Sequence, residues 1–288
     1  MTMEASDDLP SRWPNGARCV VAITIDFDGP SLEVGRARNT LGIYSHGRYS
    51  AKCGIPRYLR ILQDASIPST FFVPGYDAEQ HPESVREIAA SGHEIGAHGY
   101  VHEGWDLGDE EPFFLRKTHD VLTDLLGTPP LGWRSPSGHK SARTMRELKR
   151  LGYIYDSSDK DRDMPYMAEF DGRVHDDLVV LPNNTSSLDD FPFYRVSYTP
   201  PSDVLAHWIE EFEAIRDEGG YFNLTLHPRV GYGSGSPARA HIVKELIDHI
   251  KSSGDSCFVG LAQLAKWCLK SPAQWPKTPT IHPAEEVS

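Results

Sequence analysis

Short β-rich runs alternate with helical patterns along almost the whole chain, and this order limits the fold more than any other feature of the sequence. The runs start at "CVVAITIDF" (19–27) and "STFFVPG" (69–75), then "HEIGAHG" from 93, "LGWRSPSG" from 131 and "GYIYDSS" from 152. "DLVVLPNN" from 177, "GYFNLTLHP" from 220 and "SCFVGL" from 256 complete the set. Between them, "IPRYLRILQDAS", "PESVREIAASG" and "SDVLAHWIEEFEAIRDEG" place apolar residues three and four apart, the period of a helix with one buried face. Strand–helix alternation requires crossover connections and hence a mainly parallel sheet. About seven or eight strands in 288 residues point to a single distorted (β/α) barrel, with a doubly wound open sheet as the alternative.

No repeat, low-complexity tract or linker divides the chain. Residues 1–18 read as an N-terminal arm, 19–270 as the barrel and the Pro-containing stretch 271–288 as a C-terminal arm. Two long connections, 29–50 and 159–176, leave the ends of expected strands. Because a parallel barrel carries its active site at the carboxyl ends of its strands, both are expected to act as lids.

Composition narrows the function. A hydrophobic share of 39% supports one large core. The net charge of −12 and the lack of any Lys/Arg run argue against a track for nucleic-acid phosphates. No segment approaches a membrane span, and the polar, acidic start lacks the look of an export signal, so a cytoplasmic protein without a membrane partner is expected. Cys19, Cys53, Cys257 and Cys268 show no CxxC spacing and read as reduced thiols without chemistry.

"HEIGAHGYVH" (93–102) holds His93, His98 and His102. Spacing alone favours a surface histidine pair over a metal site. The first strand, however, ends in "TIDFDGP", where Asp26 and Asp28 face one side if the strand stays regular. Two carboxylates at the end of an apolar strand are costly to bury unless paired, hydrogen-bonded or bound to a cation. An Asp, His, His set with open positions suits a divalent ion that also holds water. The plain readings are turn or cap aspartates, a strand-packed His93, a solvated Arg134 and a core His227 satisfied by a carbonyl.

"DFDG", "HEIGAHGYVH", "RSPSG" and "LTLHP", in this order at successive strand ends, resemble the motifs of the polysaccharide deacetylase family, carbohydrate esterase family four. The resemblance covers most of the chain. It implies a metal-dependent site with Asp28, His98 and His102 as ligands, Asp26 as general base, His227 as general acid and Arg134 orienting Asp26. The aspartates are separated by Phe27 where the common motif has them adjacent, and "RSPSG" lacks the tyrosine often found before its glycine. The first departure, with "SLDDFPFY" (187–194), resembles a subgroup of intracellular peptidoglycan deacetylase-like proteins and cyclic imide hydrolases. The activity implied is hydrolysis of a non-peptide C–N bond by metal-activated water, with zinc as the expected ion; manganese, cobalt, nickel or iron also suit such ligands. A small cyclic imide or ureide is the leading substrate, an N-acetylated amino sugar, chitooligosaccharide or peptidoglycan the alternative, and a non-catalytic metal-containing binding module the alternative of another class. The resemblance also implies a homo-oligomer. No role is assigned to Asp156, Asp159, Asp189 or Asp190, and Trp105, Tyr44 and Tyr49 could either stack on a substrate or cover the edge of the core.

Overall fold

The computed structural model describes residues 12–276. Strand β1 (Cys19–Asp26) is buried along its whole length, as the centre of a parallel sheet covered on both faces should be. The other strands are β2 (Thr70–Val73), β3 (Glu94–Ala97), β4 (Gly132–Trp133), β5 (Tyr155–Asp156), β6 (Tyr166–Phe170), β7 (Arg173–Val180), β8 (Tyr221–Leu226) and β9 (Ser256–Phe258). Their order is β6-β7-β5-β4-β3-β2-β1-β8, and β9 lies beside the start of β1. All pairings are parallel except that of β6 with β7. The sheet curls towards closure because the segment after β7 crosses to β8. There Asp189 bridges to Thr225, and the Asn223 side chain donates to the Pro182 carbonyl at 2.8 Å. The alternation is thus realised as a distorted (β/α) barrel.

Residues 159–176 are not the long loop that the sequence suggests. Most of them belong to a hairpin in which β6 pairs antiparallel with β7 at the sheet edge. Asp171 and Gly172, with φ of 53° and 69°, form its two-residue turn, the type whose twist matches that of the flanking strands. The "DG" in "EFDGRV" is the local signal for it, and β6 accounts for the extra strand. The 29–50 connection contains a short helix, Ser31–Gly35, and leads into the helix Ile55–Ala65. That helix buries Ile55, Tyr58, Leu59 and Leu62, the stripe its sequence predicts.

Side-chain alternation sorts the core into two layers. Val21, Ile23 and Ile25 of β1 and Phe222, Leu224 and Leu226 of β8 pack outwards with the helices. Val20, Ala22, Phe72, Tyr155 and Tyr221 fill the interior. Gly96 and Gly132 hold two interior positions, since an added Cβ would lie 2.8 Å from the Phe72 ring and 1.7 Å from the Tyr155 ring. The described parts of the two end segments join this interior layer: Trp13 and Trp275 are buried, with ring centroids 5.6 Å apart. The rest of both expected arms lies outside the described residues. Among the described residues, no helix is long and apolar enough to cross a membrane.

Candidate metal centre and active site

The inward-facing columns of the strands end in polar residues at the carboxyl edge. On β1 the column runs Val20, Ala22, Thr24, Asp26; on β8 it runs Tyr221, Asn223, Thr225 and then His227. His98 and Arg134 continue β3 and β4 in the same two-residue register, beyond Gly96 and Gly132. All four side chains converge. His98 Nε2 and His227 Nε2 lie 3.8 and 3.9 Å from Asp26 Oδ2, and Arg134 Nη1 donates to Asp26 Oδ1 at 2.7 Å.

Asp28 and His102 reach the same space by another route. β1 ends at Asp26, and Asp28 adopts φ of 40°, so a turn, not the regular strand expected, directs its carboxylate inwards. His102 has φ of 55°. Left-handed backbone is unfavourable for a residue with a Cβ and persists where the surroundings enforce it. Around Asp28, the buried Asp77 carboxylate accepts from the Gly29 and Ser31 amides at 2.8 and 3.0 Å. Before His102, the Glu103 carboxylate accepts from the Tyr100 and Val101 amides at 3.0 and 2.9 Å.

Asp28 Oδ1 lies 3.7 Å from His98 Nε2 and 3.3 Å from His102 Nε2, yet it is buried with no hydrogen-bond donor. His98 Nδ1 lies 2.8 Å from the Arg134 carbonyl, which can only accept. The proton is therefore on Nδ1, and a neutral His98 turns the lone pair of Nε2 towards Asp28. Burial is the largest influence on both groups. It holds the His98 imidazole below its ordinary value, whereas for Asp28 the His102 and His227 imidazoles outweigh burial and keep the carboxyl below the usual range. A carboxylate oxygen and an imidazole lone pair facing each other in a buried site form a donor set suited to a divalent cation.

Arg134 is 1% exposed and fully engaged. Besides Asp26 it donates to the Thr24 hydroxyl at 3.0 Å, the Ser157 carbonyl at 3.1 Å and the Ser157 hydroxyl at 3.0 Å, and its guanidinium lies 4.2 Å from the centre of the Phe72 ring. It is not a solvated surface charge. Nor is His227 a core histidine held by a carbonyl: its Nδ1 lies 2.6 Å from Asp190 Oδ1. Burial pulls the His227 imidazole down, but Asp190 and Asp189 outweigh it and push the ring up to about 10.

Asp189, Asp190 and His227 form a second cluster with metal-like spacing, but Asp190 is already satisfied. It accepts from the His227 and Ser234 amides at 2.9 and 2.7 Å, from the Ser234 hydroxyl at 2.6 Å and from the ring. Sequence alone assigns Asp190 no role, because its partner is 37 residues away. Tyr232, whose hydroxyl donates to Asp28 Oδ2 at 2.7 Å, carries no local signal of this contact. Asp156 and Asp159 pair with Lys140 at 2.5 and 2.7 Å. His93 packs on Phe71, as the plain reading expected. Trp105 lines a cavity of about 260 Å³ with Glu103, Ser135 and Pro136, while Tyr49 packs at the base of the 29–50 segment, where Arg57 donates to its hydroxyl at 3.1 Å.

Residues 16–155 match the model of the family described as polysaccharide deacetylase, a span that holds Asp26, Asp28, His98, His102 and Arg134. Over 286 aligned residues the chain is 30% identical to a peptidoglycan deacetylase of Helicobacter pylori, covering 87% of this chain and 96% of the relative. The chain belongs to the polysaccharide deacetylase family. It is accordingly a hydrolase of carbon–nitrogen bonds other than peptide bonds, in a family that depends on metal. A Mycobacterium smegmatis protein provisionally assigned as a polysaccharide deacetylase superposes with a TM-score of 0.82 at 34% identity, over 98% of this chain and 100% of that one. The Puue allantoinase shares the fold, with a TM-score of 0.79 at 24% identity over 93% of this chain and 96% of its own.

Proposed function

We propose that the protein is a metal-dependent amidohydrolase in which Asp28, His98 and His102 hold a zinc ion, Asp26 is the general base and His227 the general acid. One observation carries this reading. The orphaned Oδ1 of Asp28 meets two imidazole nitrogens, while Asp26 Oδ2 and His227 Nε2 stand 3.9 Å apart beside them. When bound, the cation supplies positive charge that polarises a carbonyl oxygen and acidifies water.

The chain's own groups divide the proton work. Arg134 engages Oδ1 of Asp26 and leaves Oδ2 free to take a proton from the attacking water. Asp190 holds the Nδ1 proton of His227, so the proton to be delivered is on Nε2. As the C–O bond forms and the C–N bond breaks, that proton goes to the departing nitrogen, a poor leaving group until protonated. The expected effect of Asp28→Ala is loss of both bound zinc and turnover; unchanged zinc content would refute the ligand assignment. Turnover by the zinc-loaded chain also excludes a binding module, which would hold ligand without converting it.

For the substrate we propose a small cyclic imide or ureide. Asp26, Asp28, His98, His102 and His227 are each under 10% exposed, and Gly47 packs on Gly29 within the 29–50 segment that follows Asp28. A site buried to this extent suits a small molecule, and the tip of the segment, with Leu41 and Ile43 exposed, would act as a lid. An N-acetylated amino sugar is the second reading, favoured by the Helicobacter pylori relative, which carries the name peptidoglycan deacetylase. Succinimide, hydantoin, allantoin and N-acetylglucosamine oligomers, assayed side by side for ring opening and acetate, separate the two. Four unpaired cysteines fit a reducing compartment, so we place the enzyme in the cytoplasm. Self-association would cover exposed Val196 and Tyr198, and sedimentation velocity would detect it.

A further inference from the structure

The segment after β8, "PRVGYGSGS" (228–236), folds back over the strand end that it has just left. A Cβ on Gly233 would lie 2.0 Å from the His227 carbonyl oxygen, and one on Gly235 would lie 1.9 Å from that of Pro228. Both contacts are with backbone, so glycine is required for the chain to pass this close. The fold-back brings Ser234 to Asp190 and Tyr232 to Asp28. The Tyr232 ring is held edge-on against Phe191 and His227, with centroids 5.1 and 5.3 Å away, and the Arg229 guanidinium lies 5.0 Å from its centre.

The two oxygens of Asp28 therefore differ. Oδ2 accepts from the Tyr232 hydroxyl at 2.7 Å, whereas Oδ1 is buried without a donor and faces His98 and His102. The turn at φ of 40° already fixes the Asp28 backbone, which leaves rotation of the carboxylate as its main freedom. We propose that Tyr232 is a positioning residue for the cation site: its hydroxyl commits Oδ2 to a hydrogen bond and so reserves Oδ1 as the ligand atom. This rests on the reading of Asp28, His98 and His102 as the cation site. Hydrogen bonds to ligating carboxylates commonly set metal affinity, and losing one costs about 10- to 100-fold.

The test is zinc affinity, measured by competition with a chromophoric chelator, for the wild-type chain and for Tyr232→Phe, Phe191→Leu and Asp28→Ala, with the melting temperature of each metal-free protein recorded. Tyr232→Phe removes one oxygen and keeps the ring, and about 10- to 100-fold weaker zinc binding is expected. Phe191→Leu disturbs the packing around Tyr232 but keeps the donor, and its affinity is expected to stay within twofold of wild type. If Phe191→Leu weakens zinc as much as Tyr232→Phe, the effect is one of packing and the inference is overturned. If Asp28→Ala abolishes zinc binding while Tyr232→Phe binds like wild type, the inference about Tyr232 fails and the cation site stands. If Asp28→Ala binds zinc like wild type, the cation site itself is wrong and Tyr232 loses its role with it.

Discussion

Replacing Arg134 by methionine tests whether the site is built around a buried ion pair. Arg134 and Asp26 are 1% and 5% exposed, and Nη1 lies 2.7 Å from Oδ1. Methionine fills much of the same volume but donates nothing. Thr24 keeps its bond to the Leu224 carbonyl, and Thr225 keeps its bond to Asn183, so the loss falls mainly on Asp26 and on the Ser157 acceptors. Breaking a buried pair by removing one partner costs about 3–5 kcal/mol. Protonating a carboxyl of ordinary acidity at pH 7 costs about 4 kcal/mol, which caps the penalty that a stranded Asp26 can impose. At pH 5 the same step costs about 1.5 kcal/mol, so the destabilisation should shrink as pH falls. The sign follows from the variant's folded state disfavouring the charged form: the penalty grows as pH rises above the range where the unfolded carboxyl ionises. Urea melts at pH 7 and pH 5, with chelator present so that metal linkage does not contribute, measure both values. Asp26→Asn combined with Arg134→Met should recover at least half of the loss, because no charge is then stranded. A single-variant loss below about 1 kcal/mol at pH 7, or a double variant no more stable than the single, would refute the buried-pair argument.

His227→Ala should retain zinc and lose about 10²- to 10⁴-fold in kcat, the usual scale for a general acid; an unchanged kcat would reassign that role. Gly132→Ala drives a Cβ to 1.7 Å from the buried Tyr155 ring, and overpacking of this kind costs about 1–3 kcal/mol or more, read as a lower melting temperature. Gly172→Ala places a Cβ at φ of 69° in the hairpin turn. It should cost about 1 kcal/mol and leave kcat/KM unchanged, since the turn lies at the sheet edge; a neutral melt would show that the turn relaxes.

Asp26, His98, Arg134 and His227 were legible in the sequence for a local reason. Each extends a strand in the two-residue register that points into the barrel, so pattern and motif agree. Asp28 faces the side that a regular strand predicts but reaches it through a left-handed turn after Phe27, which has no sequence signature of its own. The role of Asp190 depends on a partner contributed after another strand, and Tyr232 reaches the site through a fold-back whose glycines read as an ordinary loop. β7 was only half visible, since His175, Asp176 and Asp177 interrupt its apolar run at the sheet edge. The Asp-Gly turn is the local signal that marks a hairpin in place of the second expected lid.

The distribution of charge explains why the strained residues occur where they do. Asp26, Asp28, Asp189 and Asp190 are all buried at one end of the barrel, where Arg134 and a protonated His227 supply the nearby positive charge. Arg229, also buried nearby, is paired with Glu33. Burying carboxyl groups in a space that excludes water is costly by itself, and it pushes the Asp189 carboxyl up to about 7. The chain reduces the cost for Asp190 with the Ser234 and His227 donors, and for Asp26 with Arg134. Asp28 receives only half of such treatment: Tyr232 satisfies one oxygen, and the other is left beside two imidazoles. Left-handed backbone at Asp28 sets the direction of this carboxylate. Strain and an oxygen without a hydrogen-bond donor therefore coincide at Asp28, where a cation would relieve them, while hydrogen bonds engage Asp26 and Asp190 elsewhere.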